Sequence, residues 1–298
     1  VGRILDDGLP EDLPDDYYDW VNDLTARDAA EQMEELSRVY VPSQAERDFE
    51  AAYAAMDDEP ARYNRLRDKL LPLEKLRLIP PPVPLNDVLY YDSLAWLAGP
   101  PGSYKSFLAV QWACEESRRS KVLYVAAEGV AGLARRVDAW EAATRGRVGR
   151  LVFLPEAVDV SGSAWLDLEE IVRESRPKLI VLDTQARMTP GLEENSAADV
   201  GRYIAGCDVL RRASGACVLS LHHSSKGQAY LRGSSALMGA ADTVVAISRP
   251  DELQAVVGVR NVKQKDDRQR PEYWLRPADQ ANGSMVLVEC ERPDWWPK

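Results

Sequence analysis

Lys105 and Ser106 are the residues whose setting most clearly specifies a chemistry. They close the stretch Gly99-Pro100-Pro101-Gly102-Ser103-Tyr104-Lys105-Ser106-Phe107, which follows the short apolar run Leu94–Ala98. A strand, a Gly/Pro turn and a helix opening on Lys-Ser form the layout of a phosphate-binding loop. Such a turn aims backbone N–H groups and a helix N-terminus at one point, where a polyanion is stabilised. Lys105 is placed to reach the β- and γ-phosphates of a nucleotide, and the Ser106 hydroxyl to take a magnesium site. One position departs from the pattern G-x-x-x-x-G-K-[ST]: Tyr104 stands where glycine is usual. A Cβ there threatens either to crowd the phosphates or to forbid the dihedral that glycine would use.

The elements that must position this loop follow from hydropathy. Apolar strands alternate with helical segments: a strand at 96–98, a helix near 105–119, a strand at 121–127, and a helix near 130–145. Strands at 151–154, 179–183 and 217–221 follow, with helices near 164–175 and 196–213 between them. Continuous apolar strands separated by helices predict a parallel sheet covered on both faces. From Asp242 onward the pattern becomes β-rich, at 243–248, 254–263, 272–276 and 284–290, which predicts antiparallel strands extending one edge. The fold class is therefore α/β, a nucleotide-binding core with a β-rich C-terminal edge.

Ahead of this core, residues 1–19 are acidic and non-periodic, while 20–71 carry helical spacing, as in Ala29, Met33, Leu36 and Tyr40. Ile79-Pro80-Pro81-Pro82-Val83-Pro84 reads as a stiff extended linker. The expected organisation is an acidic, mainly helical segment at 1–79, a Pro-rich linker at 80–86 and an α/β nucleotide-binding core at 87–298. The net charge of −11 is uneven. Residues 1–79 hold 20 Asp/Glu against 10 Lys/Arg, so the remaining 28 acids and 27 bases leave the core near neutral. A near-neutral core can still present a local basic surface, so composition neither shows nor excludes nucleic-acid binding. No run of about 18 apolar residues spans a membrane, and the acidic N-terminus lacks a secretory h-region. Cys114, Cys207, Cys217 and Cys290 are widely spaced, as expected of reduced thiols in a cytoplasmic protein rather than a zinc site or disulfide framework.

In parallel α/β sheets ligands sit at the carboxyl ends of the strands, and polar residues stand at several of these ends. Asp183 closes Leu179-Ile180-Val181-Leu182, placing a carboxylate to hold the water shell of a magnesium ion. Glu128 closes the strand after the phosphate-loop helix and is a candidate to accept a proton from an attacking water; a helix-capping role is the rival reading. His222 or His223 ends the fifth strand, where one of them could hydrogen-bond a γ-phosphate.

The order of these motifs resembles the RecA/DnaB superfamily of ring- and filament-forming ATPases, and in particular its RepA-like replicative helicase branch from plasmids and phages. Gly99–Ser106 is similar to the Walker A element, Glu128 falls at the catalytic glutamate and Leu179–Asp183 at Walker B. Leu182-Asp183-Thr184-Gln185-Ala186-Arg187 and Glu194-Asn195-Ser196-Ala197-Ala198-Asp199 resemble the RepA-like branch. So do His222-His223-Ser224-Ser225-Lys226, Arg232-Gly233-Ser234-Ser235-Ala236-Leu237 and Gly239-Ala240-Ala241-Asp242. Val262-Lys263-Gln264-Lys265-Asp266 is similar to a strand-end basic pair that reaches a neighbouring subunit's nucleotide. The resemblance covers about 90–270.

It implies a RecA-like oligomer, of hexameric-ring type, with ATP and Mg2+ held between subunits. One subunit supplies Lys105, Ser106, Asp183, Glu128 and His223; the next supplies Lys263, Lys265 and Arg232. A cation inserted from a neighbour neutralises charge developing on the transferred phosphoryl group, although Lys265 is a poorer clamp than the arginine found in many relatives. The loops after the fourth and fifth strands would face the channel, offering Arg187, Lys226 and Tyr230 to single-stranded or branched DNA. Two other classes remain open. A DNA nuclease on a RecA-like scaffold is one, faintly echoed by Pro250-Asp251 with Asn261-Val262-Lys263, where asparagine replaces the second carboxylate. An ATP-binding loader with weak turnover, crippled by Tyr104, is the other.

Overall fold

The computed structural model describes residues 69–224, 235–251 and 253–297. The chain divides into two compact units, Val1–Ile79 and Pro80–Lys298. The described end of the first contains one short helix, α1 (Leu73–Leu76), which starts after Pro72. The helical spacing read over 20–68 lies outside the described residues.

Among the described residues the second unit is built on a nine-stranded sheet. In chain order its elements are β1 (Ser93–Gly99), α2 (Lys105–Ser117), β2 (Lys121–Ala126), α3 (Val130–Thr144), β3 (Arg150–Leu154), α4 (Ala164–Ser175) and β4 (Leu179–Asp183). There follow α5 (Gln185–Met188), α6 (Ala197–Ser214), β5 (Cys217–His223), α7 (Ser235–Ala240), β6 (Thr243–Ser248), β7 (Val257–Gln264), β8 (Tyr273–Asp279) and β9 (Met285–Cys290). Strands lie in the order β3-β2-β4-β5-β1-β6-β7-β8-β9. The first six in that row are parallel, and β7, β8 and β9 continue the sheet antiparallel. This is the parallel α/β core with an antiparallel extension at one edge that the alternation of apolar strands and helices predicts.

All seven residues of β1 are buried, so both faces of the strand are covered and its apolar run Leu94–Ala98 does not alternate with polar residues. Its pleat still sorts side chains to two faces. Ala95 and Leu97 join a core with Leu108, Ala109 and Trp112 of α2 and Leu133 and Trp140 of α3. Leu94 and Trp96 join the opposite core with Trp165 and Leu168 of α4 and Tyr203, Cys207 and Leu210 of α6. Helix α6 begins with an N-cap: the Ser196 side chain accepts from the Asp199 N–H at 3.2 Å.

The stretch read as a linker over 80–86 is in part structural. Leu85 is buried with Val88 and Leu89 in the core, Asn86 Oδ1 accepts from the N–H groups of Val88 and Leu89, and Pro84 bridges to Tyr90. Apolar side chains interleaved with the prolines explain the difference, since prolines stiffen the chain without preventing Leu85 from reaching the core. All four cysteines are free thiols, three of them buried. Among the described residues no helix is long and apolar enough to cross a membrane.

Candidate nucleotide site

Register brings the candidate residues to one edge. Ala126 pairs with Asp183 and Gly99 with His223, so β2 and β4 end level with each other, and β5 and β1 end level with each other about two residues further on, since Leu182 pairs with Ser220. Glu128, Asp183, His223 and the loop 100–104 leave the sheet side by side, in the crevice that parallel sheets reserve for ligands.

Glycine at 99 is required by close approach: a Cβ there would lie 2.7 Å from Ser103 Oγ and 2.8 Å from the Ile247 carbonyl oxygen. The loop then turns with Gly102 at φ 76° and Tyr104 at φ 63°, ψ 20°. Tyr104 thus adopts the left-handed backbone that glycine would supply, and α2 begins at Lys105 as the motif requires. The Lys105 ammonium donates to the carbonyls of Gly99 at 2.8 Å and Pro100 at 2.9 Å, with His223 Nδ1 at 3.5 Å. Burial lowers its pKa from 10.5 to about 8, against the pull of Asp183 and Glu128. Burial, followed by the Lys105 charge, also lowers the pKa of His223, which favours a neutral imidazole.

Asp183 is buried at the end of β4. Desolvation raises its pKa, opposed by hydrogen bonding from Tyr124 and by the nearby Ser106 hydroxyl. Its Oδ2 accepts from the Tyr124 hydroxyl at 2.7 Å, whereas Oδ1, among the described residues, has no hydrogen-bond partner by geometry. A buried carboxylate oxygen left unpaired beside a serine hydroxyl is the donor set a hard, oxygen-seeking cation needs. The residues therefore fit magnesium, and Ser106 and Asp183 would hold it or its water shell. The bound ion would neutralise charge on the β- and γ-phosphate oxygens.

Glu128 is partly exposed. Its Oε1 accepts from the Thr184 hydroxyl at 3.3 Å and lies 3.9 Å from Arg187 Nε. Arg187 is thus placed on α5 against the candidate base. His222 is turned away from the phosphate loop and meets Glu194, Nε2 to Oε1, at 3.2 Å, leaving His223 as the histidine beside Lys105.

Lys263 and Lys265 stand elsewhere. Lys263 pairs with Val244 in the ladder and donates to the carbonyls of Met238 at 2.7 Å and Gly239 at 3.2 Å, while Lys265 pairs with Asp242 at 3.2 Å. They serve the amino-terminal end of β6, away from the phosphate loop of their own chain. Lys226, Tyr230 and Arg232 lie outside the described residues. The nuclease echo does not assemble: Asp251 precedes β7 and accepts from the Leu253 N–H, Lys263 lies near the strand's far end, and Asn261 bonds Gln264.

Tyr124 and Arg249 are functional candidates that sequence reasoning missed. Tyr124 is hidden inside an apolar strand, where only a lone polar atom marks it. Arg249, one residue beyond β6, donates Nη1 to the Gly102 carbonyl at 3.0 Å and Nε to the Gln254 carbonyl at 3.1 Å. No motif flags it. A cleft of about 800 Å³ adjoins the site at Pro101 and His223, and carries the carboxylates Glu193, Glu194 and Asp199.

With this geometry, comparison with known proteins is decisive at the level of family. A family model described as an AAA domain, AAA_25, matches residues 59–229, more than half of the chain. The chain belongs to this AAA domain family. Among solved structures, one described as an ATPase domain is similar with a TM-score of 0.52 at 16% identity, covering 67% of this chain and 86% of that one. A KaiC-like protein from the hyperthermophilic archaeon Pyrococcus horikoshii OT3 gives a TM-score of 0.51 at 15% identity, covering 67% and 91%. At these identities the likeness shows the fold. No curated protein matches the chain. Fold, motifs and family agree on an AAA domain built on a RecA-like P-loop core.

Proposed function

We propose that this AAA-domain protein is a Mg2+-dependent, DNA-stimulated ATPase motor of the ring-forming helicase or recombination/replication type. The observation that carries the reading is the convergence of Lys105, Ser106, Asp183, Glu128 and His223 at one sheet edge, with Lys263 and Lys265 held away from it. A single chain brings the candidate phosphate, cation and base residues together but not the strand-end lysines. An oligomer with ATP between subunits accounts for both facts.

In this reading the Lys105 ammonium leaves the Gly99 and Pro100 carbonyls for the β- and γ-phosphates, whose charge holds it protonated. Glu128 takes the proton of the attacking water. His223, neutral and beside Lys105, hydrogen-bonds the terminal phosphate. Lys263 and Lys265 of one subunit would approach the nucleotide of the next and stabilise charge as the phosphoryl group transfers. The host is a phage- or plasmid-bearing bacterial cytoplasm, following the RepA-like resemblance.

Single-stranded DNA is the proposed effector, contacted by the loops after β4 and β5. The acidic cleft bearing Glu193, Glu194 and Asp199 repels phosphates, so the contacts fall to Lys226 and Tyr230. Arg187, paired with Glu128, is positioned to register DNA only by leaving that partner. The decisive test is Mg2+-dependent ATP turnover with and without single-stranded DNA, for the wild type and Lys105→Ala, following DNA integrity in parallel. DNA-stimulated turnover lost in the variant, with DNA intact, is the expected result. Cut DNA without turnover would overturn the motor reading.

A further inference from the structure

The residue that breaks the Walker A pattern is also the one held by a side chain from outside the motif. Tyr104 occupies left-handed backbone, φ 63° and ψ 20°, which β-carbon-bearing residues adopt at a cost and glycine does not. The Arg249 guanidinium carbon lies 5.2 Å from the centroid of the Tyr104 ring, within cation–π range. The same guanidinium donates to the Gly102 carbonyl at 3.0 Å and to the Gln254 carbonyl at 3.1 Å. A Cβ built at Gly102 would come within 3.8 Å of Arg249 Nη1, so the guanidinium is packed against the loop. The Tyr104 ring also meets Phe107 edge-on at 6.2 Å and 83°, and the Arg136 guanidinium lies 4.3 Å from the Phe107 ring centroid.

The sheet explains how this clamp is built. β6 runs parallel beside β1, with Ala246 opposite Ala98. The chain beyond β6 therefore leaves the sheet next to the phosphate loop beyond β1, and Arg249 emerges against Gly102 and Tyr104. Arginine suits this place because one planar group can stack on a ring and donate from its edge at the same time.

We propose that Arg249 is a positioning residue for nucleotide binding. Together with the Tyr104 ring it fixes the second half of the phosphate loop, so that a side-chain clamp does what backbone freedom does where glycine occupies this position. The two residues are then a coupled unit. Arg249 is needed because position 104 is tyrosine, and restoring glycine there removes the need. The inference rests on nucleotide binding at this loop.

The test is equilibrium binding of a fluorescent ATP analogue with Mg2+ to the full chain. Wild type, Arg249→Ala, Arg249→Lys, Tyr104→Gly and the double variant Tyr104→Gly/Arg249→Ala are compared, each checked by thermal melting. Arg249→Ala is expected to weaken binding about ten-fold, roughly the loss of one charge-assisted hydrogen bond. Steady-state turnover should show this as a raised KM with kcat at saturation little changed. Arg249→Lys keeps the charge without the planar fork and is expected to fall in between. In the Tyr104→Gly background, removing Arg249 is expected to change affinity by less than about two-fold, a non-additivity that only coupled residues show.

A loss on removing Arg249 that persists undiminished in the Tyr104→Gly background would overturn the inference, because Arg249 would then act on nucleotide or fold independently of position 104. Equal binding by wild type and Arg249→Ala would do the same. If Arg249→Ala does not fold, Arg249→Lys in the two backgrounds carries the comparison. A wild type that binds no nucleotide refutes the ATPase reading and this inference with it, whereas a binding wild type with an indifferent Arg249 refutes this inference alone.

Discussion

Lys105 is a buried cation whose pKa falls from 10.5 to about 8, with desolvation the largest cause. That shift is a statement about stability. Below about pH 8 both the folded and the unfolded chain carry the proton, and folding bears the full cost of burying it. Between about 8 and 10.5 the unfolded chain binds more protons than the folded one, so stability rises with pH. The window corresponds to about 3 kcal/mol. Lys105→Met keeps the length of the side chain and removes the titration. Relative to wild type, its stability should be most favourable near neutral pH, and the difference should shrink by about 3 kcal/mol by about pH 10.5. Losing the hydrogen bonds to the Gly99 and Pro100 carbonyls shifts the offset between the variants but not this slope. Urea unfolding of both proteins from about pH 7 to about pH 10.5 measures it, with other titrating groups common to the pair. A difference that stays flat across the window would refute the argument that Lys105 is held desolvated in the folded chain.

The same shift predicts that ATP affinity of the wild type falls as pH rises, by about 30-fold at about pH 9.5, because the free protein must regain a proton to bind phosphate. Titration calorimetry across that range checks it. Tyr124→Phe takes the donor from Asp183 Oδ2, and should cost about 1–3 kcal/mol in denaturant unfolding and raise the Mg2+ concentration needed for turnover. Glu128→Gln should lower turnover by about 10²–10⁴-fold while nucleotide binding, read by fluorescence, stays near wild type. Mixing Lys105→Ala with Lys263→Ala, each inactive alone, should restore part of the ATPase activity, since a Lys263→Ala site would then meet an intact Lys263 on its neighbour; no recovery in a co-assembled mixture would argue against action between subunits.

The sequence alone determined what depends on local pattern. Apolar runs such as Leu94–Ala98 and Leu179–Leu182 are strands buried on both faces, because only a sheet covered by helices can hide every side chain of such a run. Their alternation with amphipathic segments then dictates the parallel core. The phosphate loop, Asp183 and Glu128 were legible for the same reason, since each sits at a fixed offset from a strand end. What only the tertiary structure decided depends on residues far apart in the chain. Strand order and register put Gly99 level with His223 and Ala126 level with Asp183, and so selected His223 over His222. Side-chain reach placed Tyr124 against Asp183, Arg187 against Glu128, and Lys263 on the carbonyls of Met238 and Gly239. Tyr104 shows the division most plainly. Its identity announces a departure from the motif, but whether the left-handed turn forms is set by neighbours it does not adjoin in sequence. Arg249 reaches it because β6 lies beside β1. Spacing fixes which residues can do chemistry; packing fixes which partners they do it with.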